Sequence, residues 1–450
     1  MIAEIKYKYL FGLQFRKIQD FVYRSDKLKK IVANSELLKH TSSEVFIKDV
    51  VDDISLKGEY LIVVHSIASI RMVFSEADDA EKFYAKFKIQ LDQKIAYVRY
   101  VQAMVEIKDT IAKSLLHLSK VLQEKESFSM AHEMPYLSLS KISPKSRLPM
   151  VSQGKSNDTM QFLHREAPVY KDQNENVIYY ATKLEDIAPP DQLSWYAIVS
   201  PDGNQLGYKM IDLYENVQSW ADLNRYSNSL RSIFEDSFEA ATQKCFGTGS
   251  KKYPIKLRPI ILGGDDMCFI VEASKSIMFC REFVCQIETL AKIKFGSKTI
   301  SDLTMGVGIA LVKHKYPFHF GVAKAGVLLE QSKLMSERAY SSAVIKKVTK
   351  LLPQKESWNN EELCCISLTD ESETTIEKLQ SITSVILGPD GCKQEIKEWL
   401  KVKTEPNKAE SIEYQIKKKK KNHPFFKEPE AQKIYKTALE FEDIDIWKIT

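Results

Sequence analysis

Pro259-Ile260-Ile261-Leu262-Gly263-Gly264-Asp265-Asp266-Met267-Cys268-Phe269-Ile270-Val271 places two apolar, β-prone runs on either side of a Gly-Gly-Asp-Asp tetrad. Runs of that length joined by glycines predict a β-hairpin with the tetrad at its tip. The glycines let the chain turn through φ > 0 and keep the tip clear of side chains. The two aspartates offer hard oxygen ligands, so the tip is a candidate meeting place for Mg²⁺ (or Mn²⁺) and a triphosphate.

Working outward from the hairpin, the same kind of element recurs on both sides. Trp195 to Ser200 reads as a buried strand ending in Asp202-Gly203-Asn204, followed by an amphipathic helix over about 221–245. After the hairpin come a helix over about 274–294, a strand over 303–312 carrying Gly306 and Gly308, and a helix over about 322–338. Near the start of the chain the order repeats. A strand over 7–15 precedes a helical stretch over 18–49. Then come two β-rich runs within 59–74, a charged helix over 76–93 and a strand over 96–107. Strand, helix, hairpin, helix, strand is the ferredoxin-like βαββαβ layout, here in two copies with little shared identity.

The expected fold class is therefore α+β. Residues 1–123 form a first unit, and residues 191–350 form a second that bears the tetrad. The polar stretch 124–190, rich in Ser, Pro, Lys and Asn, is read as a connector. Residues 351–450 are expected to be a small, mostly helical domain, largely helical over 369–400 apart from a break at Gly388-Pro389-Asp390-Gly391.

A chain of 450 residues has room for several cores. Its net charge of +5 is small for that length, so bulk charge argues only mildly for an anionic partner. The seven cysteines form no CxxC pair and no cluster with histidine, which argues against structural zinc and for reduced thiols. The N-terminus lacks a signal-peptide layout, and no apolar run reaches the length of a membrane span. A cytoplasmic protein is expected, with no membrane partner.

Asp202 follows the end of its strand, which in a ferredoxin-like sheet lies beside the tip of the central hairpin. With Asp265 and Asp266 it makes the carboxylate set that a two-metal transfer to a phosphoryl group requires. Lys333 lies on the last helix of the unit, within reach of a phosphate, on what the spacing reads as a polar face. Arg338 is a weaker candidate further along. In the first unit, His65-Ser66-Ile67-Ala68-Ser69 stands where the hairpin motif belongs and has neither carboxylate nor Gly-Gly. That unit is expected to be catalytically silent.

The second unit resembles the catalytic palm of the large subunit of type III CRISPR effector complexes, the Csm/Cmr large subunit. The resemblance rests on Tyr196-Ala197-Ile198-Val199 leading to Asp202-Gly203-Asn204-Gln205-Leu206-Gly207, on Leu262-Gly263-Gly264-Asp265-Asp266, and on Leu303 to Ala310. Pro317-Phe318, Ala323 and Leu328-Leu329 ahead of Ser332-Lys333 complete it. The first unit resembles the family's first palm through Ile18-Gln19-Asp20-Phe21 and Leu28 to Leu38.

The resemblance implies two palms packed face to face around a composite site for two ATP molecules. It implies 3′–5′ joining of ATP into cyclic oligoadenylate, a second messenger of antiviral defence. Asp202, Asp265 and Asp266 would then be metal ligands and Lys333 a triphosphate contact, with Gly263, Gly264, Gly203 and Asn204 also expected at the nucleotide. The expected partners are the NTP substrate, RNA, CRISPR-type effector subunits and a downstream effector that responds to the product.

The chain departs from the family's pattern in several places. It has no His-Asp dipeptide, so no HD nuclease domain, and no cysteine cluster between the units. Asn204 stands in place of an acid. Asp266-Met267 replaces the Glu-Phe of the related GGDEF cyclases. The alternative reading is a non-catalytic palm scaffold that binds RNA, for which Lys27, Lys29, Lys30 and the run 417–421 are candidate phosphate contacts. A template-dependent polymerase fits less well, because no extended basic cleft is evident.

Overall fold

The computed structural model describes residues 6–23, 27–95, 98–129, 170–171, 177–189, 194–263, 266–296, 298–348, 363, 365–369, 393–402, 406–419, 436–441 and 444. The first unit opens with β1 (Tyr9–Arg16), α1 (Ile18–Val22), α2 (Leu28–Thr41) and α3 (Glu44–Ile54). It continues with β2 (Tyr60–His65), β3 (Ser69–Phe74), α4 (Ala77–Lys94), β4 (Arg99–Glu106) and α5 (Ile111–Ser129). Ser43 caps α3 by accepting from the Phe46 amide at 3.2 Å, satisfying one of the donors a helix start leaves open. The four strands lie in the order β2-β3-β1-β4, with β1 antiparallel to both neighbours.

Between the units, β5 (Tyr170–Lys171) and β6 (Val177–Ile178) pair, and α6 (Leu184–Ile187) follows. Helix α5 runs past residue 123, so the first unit and the expected connector share a helix.

The second unit comprises β7 (Trp195–Gly203), α7 (Leu206–Asn216), α8 (Trp220–Phe246), β8 (Leu257–Gly263), β9 (Asp266–Glu272), α9 (Ser276–Phe295), β10 (Met305–Lys313) and α10 (Phe318–Met335). Its central strands lie in the order β10-β7-β9-β8. In chain order within each unit, both sheets read fourth-first-third-second, so the repeat expected from element order is present as topology.

Past the second unit the sheet keeps growing. β11 (Ser342–Lys347) adds parallel to β10, and β12 (Cys365–Ser367) adds antiparallel to β11. Phe441 and Ile444 are buried in the same core. The expected helical domain after residue 350 is thus only partly separate. The paired helices α11 (Lys393–Val402) and α12 (Pro406–Lys419) do form a small apolar cluster of their own around Ile396 and Ile416. The expected break at 388–391 lies outside the described residues. Lys417 to Lys419 end α12, and the rest of the basic run lies outside the described residues.

Strand alternation explains how the second sheet serves two cores. Ala197, Val199, Val307, Ile309 and Leu311 face α8 and α9, where Phe238, Phe269, Phe279 and Phe283 pack edge to face and stacked. Tyr196, Ile198, Ala310 and Val312 face the other way, toward α10, into a core continuous with that of the first unit. Gly306 and Gly308 share this second face. A Cβ at Gly308 would lie 2.0 Å from the Ala325 carbonyl oxygen and 2.3 Å from the Leu329 amide, so the helix backbone lies directly on the strand. No described helix is long and apolar enough to cross a membrane.

Candidate active site

The predicted hairpin is β8–β9. Gly263 pairs with Asp266 in register, leaving Gly264 and Asp265 as the two joining residues. Those two lie outside the described residues, and Asp266 is placed by its backbone. β9 also pairs with β7, Val199 opposite Phe269. Continued three residues toward the tip, that register sets Asp202 level with Asp266 on the neighbouring strand. The paired register itself ends at Val199–Phe269, and its continuation is what places the end of β7 beside the hairpin. Positions opposite one another on adjacent antiparallel strands are roughly 5 Å apart at Cβ.

On its other side Asp202 is the register partner of Gly306. Lys333 lies over that glycine: a Cβ at 306 would come within 2.7 Å of Lys333 Cγ. The ammonium reaches Asp202 and forms an ion pair with its Oδ2. Lys333 is 7% exposed, so the polar, solvated face expected for it is not what the helix presents. It belongs to the buried stripe Phe318, Val322, Ala325, Leu329 of α10. The Asp202 side chain is 35% exposed and opens outward from the pair.

Gly203 ends β7, and Gln205 takes the left-handed conformation at φ 54°, turning the chain sharply into α7. Asn204 is buried, with 1% exposure. Its amide donates to Thr304 Oγ1 at 3.1 Å and to the Tyr340 carbonyl at 3.3 Å, tying the strand end to the start of β10. Its Oδ1 is buried with no partner in the structure. Arg338 has a left-handed backbone, φ 59°, and its amide donates to the Lys333 carbonyl at 3.1 Å.

The donor chemistry at the tip fits a hard divalent cation: a carboxylate at Asp202 level with Asp266, with Asp265 beside it in the chain. Among the described residues no group of three His, Cys, Asp or Glu side chains gathers. Cys245, Cys268 and Cys280 are buried thiols in core positions. Burial pushes Cys245 up to about 11 and Cys268 up to about 12, so they are inert at neutral pH.

Sequence reading missed how closely the β2–β3 hairpin packs on the β8–β9 hairpin. Ile67, at the β2–β3 tip, is 4% exposed and packs on Gly263, where a Cβ would fall 2.8 Å from its side chain. The signal was in the sequence: one large apolar residue, Ile67, at the tip His65-Ser66-Ile67-Ala68-Ser69. Replacing Gly263 by alanine should force the two hairpins apart and cost about 1–3 kcal/mol, the usual range for overpacking. Thermal melts of Gly263→Ala, Ile67→Ala and the double variant check it, with the double expected to recover most of the loss.

Beside this contact lies a cleft of about 320 Å³ between the two units, lined in part by Glu44, His65, Ser66, Gly207, Arg231 and Gly263. Arg231 Nη1 sits 2.8 Å from His65 Nδ1, and Asn224 donates to the Ile62 carbonyl at 2.7 Å, bridging α8 to β2. Within the cleft Lys39 lies 3.9 Å from Glu235, and His65 Nε2 lies 3.9 Å from Glu44.

Burial, and next the Arg231 guanidinium, push the His65 imidazole down to about 4. Its folded value lies below the unfolded value near 6.5, so between those limits the unfolded chain binds more protons. Stability present above pH 6.5 is therefore lost as pH falls toward 4. A drop of roughly 2 kcal/mol between pH 7 and pH 4.5 is expected from this group. Urea titrations should show it in the native chain and a smaller drop in His65→Gln.

The sequence family described as Cas10/Cmr2, second palm domain, matches residues 195–340. Residues 195–340 form a Cas10/Cmr2 second palm domain. Around this palm the whole chain follows the architecture of solved Csm1 structures. A Csm1–Csm4 cassette in complex with pppApApA aligns over 98% of this chain and 70% of that chain, at 14% identity and a TM-score of 0.62. The cassette in complex with cA3 gives the same four values. Csm1 in T. onnurineus aligns over 98% of this chain and 70% of that chain, at 13% identity and a TM-score of 0.61. None of the curated proteins matches the chain. The first βαββαβ unit falls within these alignments, so the likeness in fold extends to both units.

Proposed function

We propose that the chain is a metal-dependent nucleotidyltransferase that joins NTPs, with ATP as the expected substrate, through 3′–5′ linkages into a cyclic oligonucleotide signal for antiviral defence. What carries this reading is the β7–β9 register, which continued from Val199–Phe269 puts Asp202 opposite Asp266, inside a stretch that matches the Cas10/Cmr2 second palm. The similar Csm1–Csm4 cassettes, solved in complex with AMPPNP, one ATP, cA3 and cA4, support the choice of substrate and product class. They also support a Csm4-like subunit as a partner. RNA and a downstream effector responding to the product complete the proposed setting, in the cytoplasm.

Asp202, Asp265 and Asp266 would hold Mg²⁺ or Mn²⁺, which when bound neutralises triphosphate charge and acidifies the attacking 3′-hydroxyl. The rest of the work is positioning. Gly203 and Gly263 let Leu206 and Ile67 pack closely on the strand ends that carry the acids. Lys333 fixes the Asp202 carboxylate and brings a positive charge to the same corner. Asn204 acts from behind, holding the β7 end to Thr304 and Tyr340. The silent palm closes the other side of the cleft with Ile67, His65 and Ser66.

Incubating purified protein with labelled NTPs and Mg²⁺ or Mn²⁺ and separating the products tests the reading. ATP-derived cyclic product is expected, and none from Asp265→Ala/Asp266→Ala. Full activity in that double variant would overturn it. So would no product under any combination of nucleotide, metal and activator, which would leave the non-catalytic scaffold.

A further inference from the structure

Lys333 is a cation on an apolar stripe, and the fold goes to some length to place it. Its stem crosses β10 at Gly306, the register partner of Asp202 on that strand. A side chain at 306 would meet that stem at 2.7 Å. The ammonium then lies on Asp202 Oδ2, one of the carboxylate oxygens a divalent ion at the hairpin would also need. Two cations on one carboxylate repel, and the repulsion is stronger where burial lowers the effective dielectric. The lysine head is a compact charge on a flexible four-carbon stem, suited to moving from one anion to another.

We infer that Lys333 is a resident counter-cation of Asp202, a positioning residue that competes with the divalent ion and yields the carboxylate when a triphosphate draws the ammonium away. The inference rests on Asp202 being a metal ligand, as proposed above. Its consequence is an order of loading: metal enters with the nucleotide, and the nucleotide-free site holds metal weakly. By linkage, whatever the nucleotide does for metal affinity the metal does equally for the nucleotide.

The experiment measures Mn²⁺ binding to the full-length, nucleotide-free chain by the electron paramagnetic resonance signal of the free ion. Lys333→Met keeps the stem and removes the charge, and should bind Mn²⁺ about tenfold tighter than the native chain. Gly306→Ala, which keeps the charge but pushes the stem aside, should shift binding several-fold in the same direction, and decides the matter if Lys333→Met fails to fold. A purely structural role for Lys333 would lower the melting temperature of both variants without tightening Mn²⁺. Unchanged or weaker binding in the folded variants overturns the inference. Asp202→Asn separates this from the parent reading: it should lose Mn²⁺ affinity, and native-like binding there would overturn the metal site itself.

Discussion

Asp202→Asn protein should fold, melt close to the native temperature and make no measurable oligonucleotide. The asparagine oxygen still accepts from Lys333, whose ammonium is otherwise buried with 7% exposure. It is, however, a neutral ligand in a site that works by charge. Charge stabilisation by a properly held metal is worth several kcal/mol at the transition state, and at about 1.4 kcal/mol per factor of ten its loss predicts a drop of about a thousandfold. Asp202→Ala should be as inactive and clearly less stable, because it strands the ammonium without an acceptor. Product formation from labelled ATP and a thermal melt, run on both variants, read the two effects separately. An active Asp202→Asn, or an asparagine variant as unstable as the alanine one, would contradict the roles given to Asp202 and Lys333.

The largest effect on stability is expected from one methyl group. Gly308→Ala would place a carbon 2.0 Å from the Ala325 carbonyl oxygen and 2.3 Å from the Leu329 amide nitrogen. Both are backbone atoms inside α10, so no side chain can swing away to make room. Overpacking usually costs about 1–3 kcal/mol where side chains can yield. Here the helix must lift from the sheet, and a loss of about 3 kcal/mol or more is expected. Because α10 carries Lys333, the lift should also disturb the Asp202 pair, so stability and activity should fall together. At Gly306 the obstructing atoms belong to the flexible Lys333 stem, and the alanine there should cost less. Urea midpoints of the two alanine variants rank them, and equal losses would refute the distinction.

The strands were legible where both faces are buried, because Ile, Val, Phe and Leu runs bounded by glycine leave little alternative. The two-unit order followed from them, and so did the expectation that Asp202 lies beside the hairpin. α7, over Leu206–Asn216, was not read because Asp202-Gly203-Asn204 signals a turn, and Gln205 then enters the helix from a left-handed conformation that carries no sequence mark. β11 and β12 were missed for another reason: short strands added at the end of a sheet depend on the sheet that receives them.

Lys333 shows the limit most clearly. The sequence was read as placing it on a polar face, whereas in the structure it continues the buried stripe Phe318, Val322, Ala325, Leu329. The reading that won depends on Asp202, 131 positions earlier in the chain, which no local pattern reveals. Ile67 is similar: its place on Gly263 belongs to the packing of two units, not to either one.

Phe21, Leu37, Phe46 and Phe87 of the first unit lie in the same continuous core as Tyr196, Ile260, Phe318 and Leu328 of the second. Tyr23 and Phe318 meet ring to ring across the join at 5.7 Å. The two units therefore stand on one footing: a change that loosens the core under either hairpin loosens the ground under both.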